Sequence, residues 1–242
     1  MRFVPIKSVE QQDVQAMHRI RSELVSQRTA KANQIRGLVG EYGLVAPVRI
    51  GQLRRAVPIW LEDAENGLTD RFRRLLAGLW DDLRRLDERI GMLDQEIGAI
   101  AATHPAARRL QQLIGVGPIT ATALMVALGD GKAFRRGRDF AVSLGLTPKQ
   151  HSSGGKARLL GISKRGDAYL RQLLVHGARA AIRTAGKRQD PLSGWIQALL
   201  KRKPANVATV ALANKTARMA WALIRYDCDY QPRLAAAGRG TP

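Results

Sequence analysis

The sequence predicts an all-α protein, with long coiled-coil helices leading into a compact helical domain that contains a helix-hairpin-helix-like unit. Three observations predict it. Across residues 72–100 the apolar positions Leu75, Leu79, Leu83, Leu86, Ile90, Leu93, Ile97 and Ile100 recur at steps of three and four, the period of a helical seam. Further on, two apolar runs are separated by the tight Gly115-Val116-Gly117. No stretch of any length carries a strand pattern, which disfavours Rossmann-like and RNase H-like sheets.

Residues 1–7 are short and extended in character because Pro5 interrupts them. Ser8-Val9-Glu10-Gln11 then has capping-box spacing, so a long helix is expected to about residue 42. Val14, Met17, Leu24, Ile35, Leu38 and Tyr42 are among its apolar positions, and Gly37 and Gly40 weaken its end. Residues 43–47 break it. A less regular segment with Pro47 and Pro58 is expected next, then a turn at residues 64–69 into the second long helix. Asp81, Arg84, Arg85, Asp87 and Glu88 fill the faces away from the seam. Such a seam must meet a partner helix, either the first helix folded back or a second copy of the chain. Residues 1–104 form the expected coiled-coil region.

Thr103-His104-Pro105 ends that helix and opens the expected helical domain, residues 105–230. Residues 107–113 and 118–128 read as helices, with Pro118 suited to a first helical position, where its missing N–H costs nothing. The stretch LQQLIGVGPITATALMVALG resembles the helix-hairpin-helix module, which holds a DNA phosphate by the amides of its turn and the positive end of its second helix. Gly115, Gly117 and Thr120 are the candidate contacts there, with Arg135, Arg136 and Arg138 just downstream.

A turn at residues 129–132 and a short helix at 139–144 lead into QHSSGGKARLLGISKRG, residues 150–166. Two serines stand beside Gly154 and Gly155, glycines that let backbone approach a ligand closely. Lys149, Lys156, Arg158, Lys164 and Arg165 supply cations suited to phosphate. A solvated basic surface loop has the same composition. Asp167 is placed to cap a helix running to about residue 182, with Arg171, Arg179 and Arg183 outward. Residues 186–191 are a basic turn, and helices at 195–200 and 206–226 are broken by Lys201-Arg202-Lys203-Pro204. The Ala-, Gly- and Arg-rich residues 231–242 are an expected disordered tail.

The net charge is +20 over 242 residues, and its counterpart is a polyanion, nucleic acid or an anionic membrane. Residues 1–100 hold 16 Lys/Arg and 14 Asp/Glu, whereas the remainder holds 24 and 6. The anion-facing surface therefore belongs to the C-terminal portion. No apolar run approaches the ~18 residues of a bilayer span, and no signal-peptide core is evident, so a soluble protein is expected. The lone Cys228 fits a reducing compartment and a small buried side chain.

Asp130, Asp139, Asp167, Asp190, Asp227 and Asp229 are scattered at turns and caps and make a poor metal cluster, so no metal ligand is assigned. His151 lies two residues from Ser153, but loop neighbours rarely have the geometry of a nucleophile and its base. His176 is expected to be packed, and Tyr169 to serve the core or a phosphate contact. A serine can attack a DNA phosphodiester if the charge building on the phosphoryl oxygens is stabilised.

Taken together, GVGPITATALMVALGD, FRRGRDFAVSLGLTPKQHSSGGK and LLGISKRGDAYLRQLLVHGARA resemble the transposases of insertion sequences related to the Piv invertase, the bridge-RNA-guided recombinases. The resemblance implies a RuvC-like domain whose DEDD carboxylates bind divalent metal such as Mg, then a coiled coil, then a helical transposase domain with a catalytic serine. It implies that Ser153 is that serine, with Ser152 the fallback. It further implies DNA of element ends and target as partners, a structured guide RNA, a homo-oligomer through the coiled coil, and a place in the bacterial cytoplasm at the nucleoid. The chain departs from the pattern in lacking the RuvC-like carboxylates, so a truncated transposase, or one with a misassigned start, that binds no metal of its own is expected. The alternatives are a catalytically inactive nucleic-acid-binding protein derived from a transposase, or a coiled-coil scaffold.

Overall fold

A computed structural model describes residues 6–46, 48–151 and 158–232. Apart from one small hairpin the described chain is helical, and it divides into two compact units, residues 16–96 and residues 1–15 with 97–242.

The first long helix, α1 (Val9–Gly40), begins with the expected capping box. The Gln11 amide donates to Ser8 Oγ at 3.2 Å and the Ser8 amide to Gln11 Oε1 at 3.1 Å. The helix α2 (Ile50–Glu62) occupies what the sequence suggests is an irregular segment, and Pro58 lies inside it. Proline in a helix interior costs ~3 kcal/mol. Leu53 and Val57, one turn apart, are both fully buried, and each contributes ~1.5–3 kcal/mol, enough to offset the proline. From α3 (Asp70–Thr103), Arg73 donates to the Trp60 and Leu61 carbonyls, both at 3.0 Å, and so satisfies the end of α2.

Within residues 16–96, α1 folds back on α3. Arg21 pairs with Asp94, Arg28 with Asp87 at 3.4 Å and Lys31 with Asp82 at 3.1 Å, so the numbering rises on one helix as it falls on the other. Ala32, Ile35 and Val39 of α1 share one apolar core with Leu53, Val57, Phe72, Leu76 and Leu83. The seam on α3 is the expected one at Leu83, Ile90 and Ile97, which are buried, and departs from it only at its first position, where Leu76 is fully buried and Leu75 is 60% exposed. Leu76, Leu83, Ile90 and Ile97 are buried at spacings of seven, with Phe72 and Ala101 buried one turn before and one turn after them.

The larger unit is built from α4 (Pro105–Leu110), α5 (Pro118–Leu128), α6 (Gly137–Ser143), α7 (Ala168–Thr184), α8 (Pro191–Leu200) and α9 (Ala205–Arg225). Helix α5 is apolar all round and accordingly central, with Thr120 to Val126 and Leu128 buried. Pro105 and Pro118 open their helices, and Asp167 caps α7 by accepting from the Leu170 amide at 2.9 Å. Helix α9 packs on α6 and α7. Trp221 Nε1 donates to the Gly131 carbonyl at 3.0 Å, tying α9 to the turn before α6.

Two strands that the sequence does not announce, β1 (Pro148–Gln150) and β2 (Leu159–Ile162), form an antiparallel hairpin. Only three and four residues long and almost wholly exposed, they carry no alternation to read. Cys228 and His176 are exposed, not packed. Cys228 follows the end of α9 between two aspartates, and His176 lies opposite the buried stripe of α7. Of the expected tail, residues 233–242 lie outside the described residues. No described helix is long and apolar enough to cross a membrane.

Candidate nucleic-acid interface

The hairpin is held at its base by backbone contacts that only glycine permits. Helix α6 ends at Ser143, and Gly145 turns the chain with φ +66°. Lys164 and Gly166, on the returning side, also have positive φ, +56° and +84°. A Cβ on Gly145 would lie 2.2 Å from the Arg165 carbonyl oxygen, and one on Gly166 would lie 1.8 Å from that of Ser143. Side chains at either position would force the two segments apart.

Hydrogen bonds continue upward from that clamp. The Asp167 amide donates to the Ser143 carbonyl at 3.3 Å, Lys164 to Gly145 at 3.2 Å, Ser163 to Thr147 at 2.8 Å, and His151 to Arg158 at 2.9 Å. The last bond joins the residues flanking 152–157. Ser152, Ser153, Gly154, Gly155 and Lys156 themselves lie outside the described residues.

The expected cations divide into two groups. Lys149, Arg158, Lys164 and Arg165 are exposed on the hairpin and its base, and Arg135, Arg136 and Arg138 are exposed at the start of α6. As α6 has seven residues, the second group lies ~10 Å along the helix from the clamp. Arg171 differs from both. It is half-buried and donates to the Leu144 carbonyl at 2.9 Å, where a cation suits a helix C-terminus. Its role is to brace the hairpin base.

The α4–α5 turn is packed against α7. Gly115 has φ +83°, and a Cβ there would lie 2.4 Å from the Gly177 carbonyl oxygen. A Cβ on Gly177 would lie 2.0 Å from the oxygen of Gly115. The two glycines let the turn touch the backbone of α7, so Gly115 is a packing residue. Thr120 is buried, whereas Gly117 is exposed with open space around it at the start of α5.

Four carboxylates of this unit, Asp130, Asp190, Asp227 and Asp229, are engaged by neighbouring groups. Asp130 accepts from the Lys132 amide at 2.9 Å, which holds its carboxyl below the usual range. Burial alone would raise the Asp190 carboxyl, but bonds from the Ser193 hydroxyl and amide and the Arg188 charge bring it below its ordinary value. Asp227 and Asp229 both face Arg109. Among the described residues no three His, Cys, Asp or Glu side chains converge, so they do not fit a divalent metal.

Sequence reasoning misses Gly145, Gly166 and Asn214. Asn214 donates to the Leu146 carbonyl at 3.2 Å beneath a groove of about 570 Å³ between the hairpin and α9. The two glycines are visible in LGLTP and KRGD as turn residues, but the collision each avoids belongs to a distant segment.

The model of the family "Transposase IS116/IS110/IS902 family" matches residues 107–192, which include the whole hairpin. The chain is 48% identical to a "probable family 20 transposase" of Pseudomonas aeruginosa over 96% of its own length and 69% of that protein's. It is 46% identical to the transposase for insertion sequence element IS1111A of Coxiella burnetii, over 96% of this chain and 64% of that protein. With the transposase for insertion sequence element IS1328 of Yersinia enterocolitica the identity is 39%, over 91% of this chain and 65% of that protein. The chain thus spans about two thirds of the length of these relatives. Residue identity along almost the whole chain, with the family match centred on the clamped hairpin, makes this chain a member of the IS116/IS110/IS902 family of transposases.

Proposed function

We propose that this chain is the serine-bearing, nucleic-acid-binding part of a transposase, and that Ser153, with Ser152 as fallback, is the nucleophile that attacks a DNA phosphodiester. The observation that carries the reading is the hairpin. Its flanks at His151 and Arg158 are bonded at 2.9 Å, its base is locked by Gly145 and Gly166, and exposed cations surround it. A hairpin that carries cations on both sides of a serine-bearing stretch suits attack at phosphorus, because charge grows on the phosphoryl oxygens in the transition state. In that step the serine oxygen bonds to phosphorus as the bond to a deoxyribose oxygen breaks. The serine proton passes to water and the released hydroxyl takes one up. Lys149, Lys156, Arg158, Lys164 and Arg165 hold the phosphate, and Arg135, Arg136 and Arg138 engage the flanking backbone. Gly154 and Gly155 allow that backbone close to the serine.

DNA of element ends and target, a structured guide RNA and self-association beside the α1–α3 pair belong to the same proposal, as does action in the cytoplasm. The carboxylates that the resemblance assigns to divalent metal find no counterpart among the described residues. The test incubates the chain, with a full-length relative and Mg²⁺ supplied, on labelled duplex DNA and looks for a protein–DNA adduct on a denaturing gel. Ser153→Ala is expected to abolish the adduct from this chain and leave duplex affinity within about twofold. An adduct from the double variant Ser152→Ala/Ser153→Ala would overturn the assignment. Tight binding with no adduct from any form would favour the inactive binding protein.

A further inference from the structure

The outward side of α7 carries its own row of charge. Gln172, His176, Arg179 and Arg183, followed by Lys187 in the 3-10 turn Ala185–Lys187, are all exposed. They are spaced by four, three, four and four, one side of a helix. The opposite side is the buried stripe Leu170, Leu174, Ala178 and Ala181. At 100° per residue the two stripes are centred about 180° apart. Among the described residues Arg179, Arg183 and Lys187 form no ion pair. Asp190 is the sole carboxylate across residues 168–226, and it is held by the Ser193 amide and hydroxyl at 3.0 and 2.7 Å.

We propose that the His176–Arg179–Arg183–Lys187 stripe of α7 is a phosphate track that holds the sugar-phosphate backbone of nucleic acid leading away from the hairpin. The inference rests on the nucleic-acid-binding reading of this chain, but not on the role of Ser153. Arg171, at the start of α7, braces the hairpin base, and Lys187 lies 16 residues further on, ~24 Å along a helix. Arg179 and Arg183 are ~6 Å apart along the axis, a spacing that lets successive cations meet phosphates of one strand. The row contains no large apolar side chain to enter a bilayer, which separates it from a membrane-surface helix. The shared chemistry is the phosphodiester backbone, of DNA or of RNA.

The test measures binding of the full chain to a labelled 30-base-pair DNA duplex and to an RNA hairpin of similar length, by anisotropy between 50 and 200 mM salt. Arg179→Gln/Arg183→Gln/Lys187→Gln is expected to weaken binding at least about tenfold and to lower the slope of log K against log salt by ~2–3. The control Arg71→Gln/Arg74→Gln/Arg84→Gln, on the exposed side of α3, should leave the slope within ~0.5. Thermal melting checks that both variants fold. Loss confined to the DNA or the RNA probe identifies which backbone the track holds. An unchanged slope in the α7 variant, or an equal loss in the control, overturns the track. If Lys149→Gln/Arg158→Gln/Arg165→Gln abolishes binding while the α7 variant does not, the track fails and the proposed function stands. If the unaltered chain binds neither probe at 100 mM salt, both fail.

Discussion

At Gly166 the hairpin leaves no room for a side chain, since a Cβ would lie 1.8 Å from the Ser143 oxygen and φ is +84°. Gly166→Ala is therefore expected to destabilise the protein by ~3 kcal/mol, from left-handed strain plus displacement of a packed backbone. In a chain of this size that lowers Tm by ~6–12 °C. Gly161, in β2 with open space around it, is the comparison, and Gly161→Ala should move Tm by less than ~2 °C. Equal shifts in circular dichroism melts would remove the clamp as an explanation. Residues whose role is local are legible without a structure: Ser8 with Gln11, Pro118 and Asp167 each act within four residues of themselves. Arg171 and His176 are not, because one is claimed by a carbonyl 27 positions away and the other is left uncovered by its neighbours.

Pairing of α1 with α3 depends on a row of Arg–Asp and Lys–Asp contacts beside an apolar seam, and His18 lies buried on the same helix. Burial, aided by the Arg21 charge, lowers the His18 pKa from 6.5 to about 4. As pH falls from 6.5 toward 4, the unfolded chain binds this proton and the folded chain does not. Stability from this group is thus complete above pH 6.5 and falls by up to ~3 kcal/mol on approach to pH 4. Urea unfolding at pH 7.5, 6.0 and 5.0 should show this loss, and His18→Gln should flatten it relative to the unaltered chain. Parallel pH profiles for the two proteins would refute the buried-histidine account. The apolar period of α3 is evident in the sequence and holds at Leu83, Ile90 and Ile97; only its first position is ambiguous, where Leu75 and Leu76 are adjacent and Leu76 is the one buried. Pro58 likewise marks α2 as broken until the burial of Leu53 and Val57 is known.

Across the whole chain the net charge of +20 is concentrated beyond residue 100. Binding to duplex DNA should fall at least ~10³-fold between 50 and 200 mM salt if six or more phosphates are neutralised. Affinity that stays constant over that range would leave the basic surface without a polyanion partner and favour the scaffold alternative. The candidate site was only partly visible beforehand. The cations of the 150–166 stretch stand out by composition, and the structure finds those that it describes exposed. The hairpin, the glycine clamp beneath it and the bracing by Arg171 depend on segments that meet only after folding.

By itself, the sequence determined the helical class, most helix starts and stops, the polyanion-facing half and the family likeness. These follow from period, capping chemistry and net charge, which act within a few residues or depend on no geometry at all. The tertiary structure alone decided that α1 closes the α3 seam, that the serine stretch is flanked by paired strands, and that Gly115 packs on Gly177. Each is a contact between segments far apart in the chain, and local propensity carries no information about which distant backbone will arrive there.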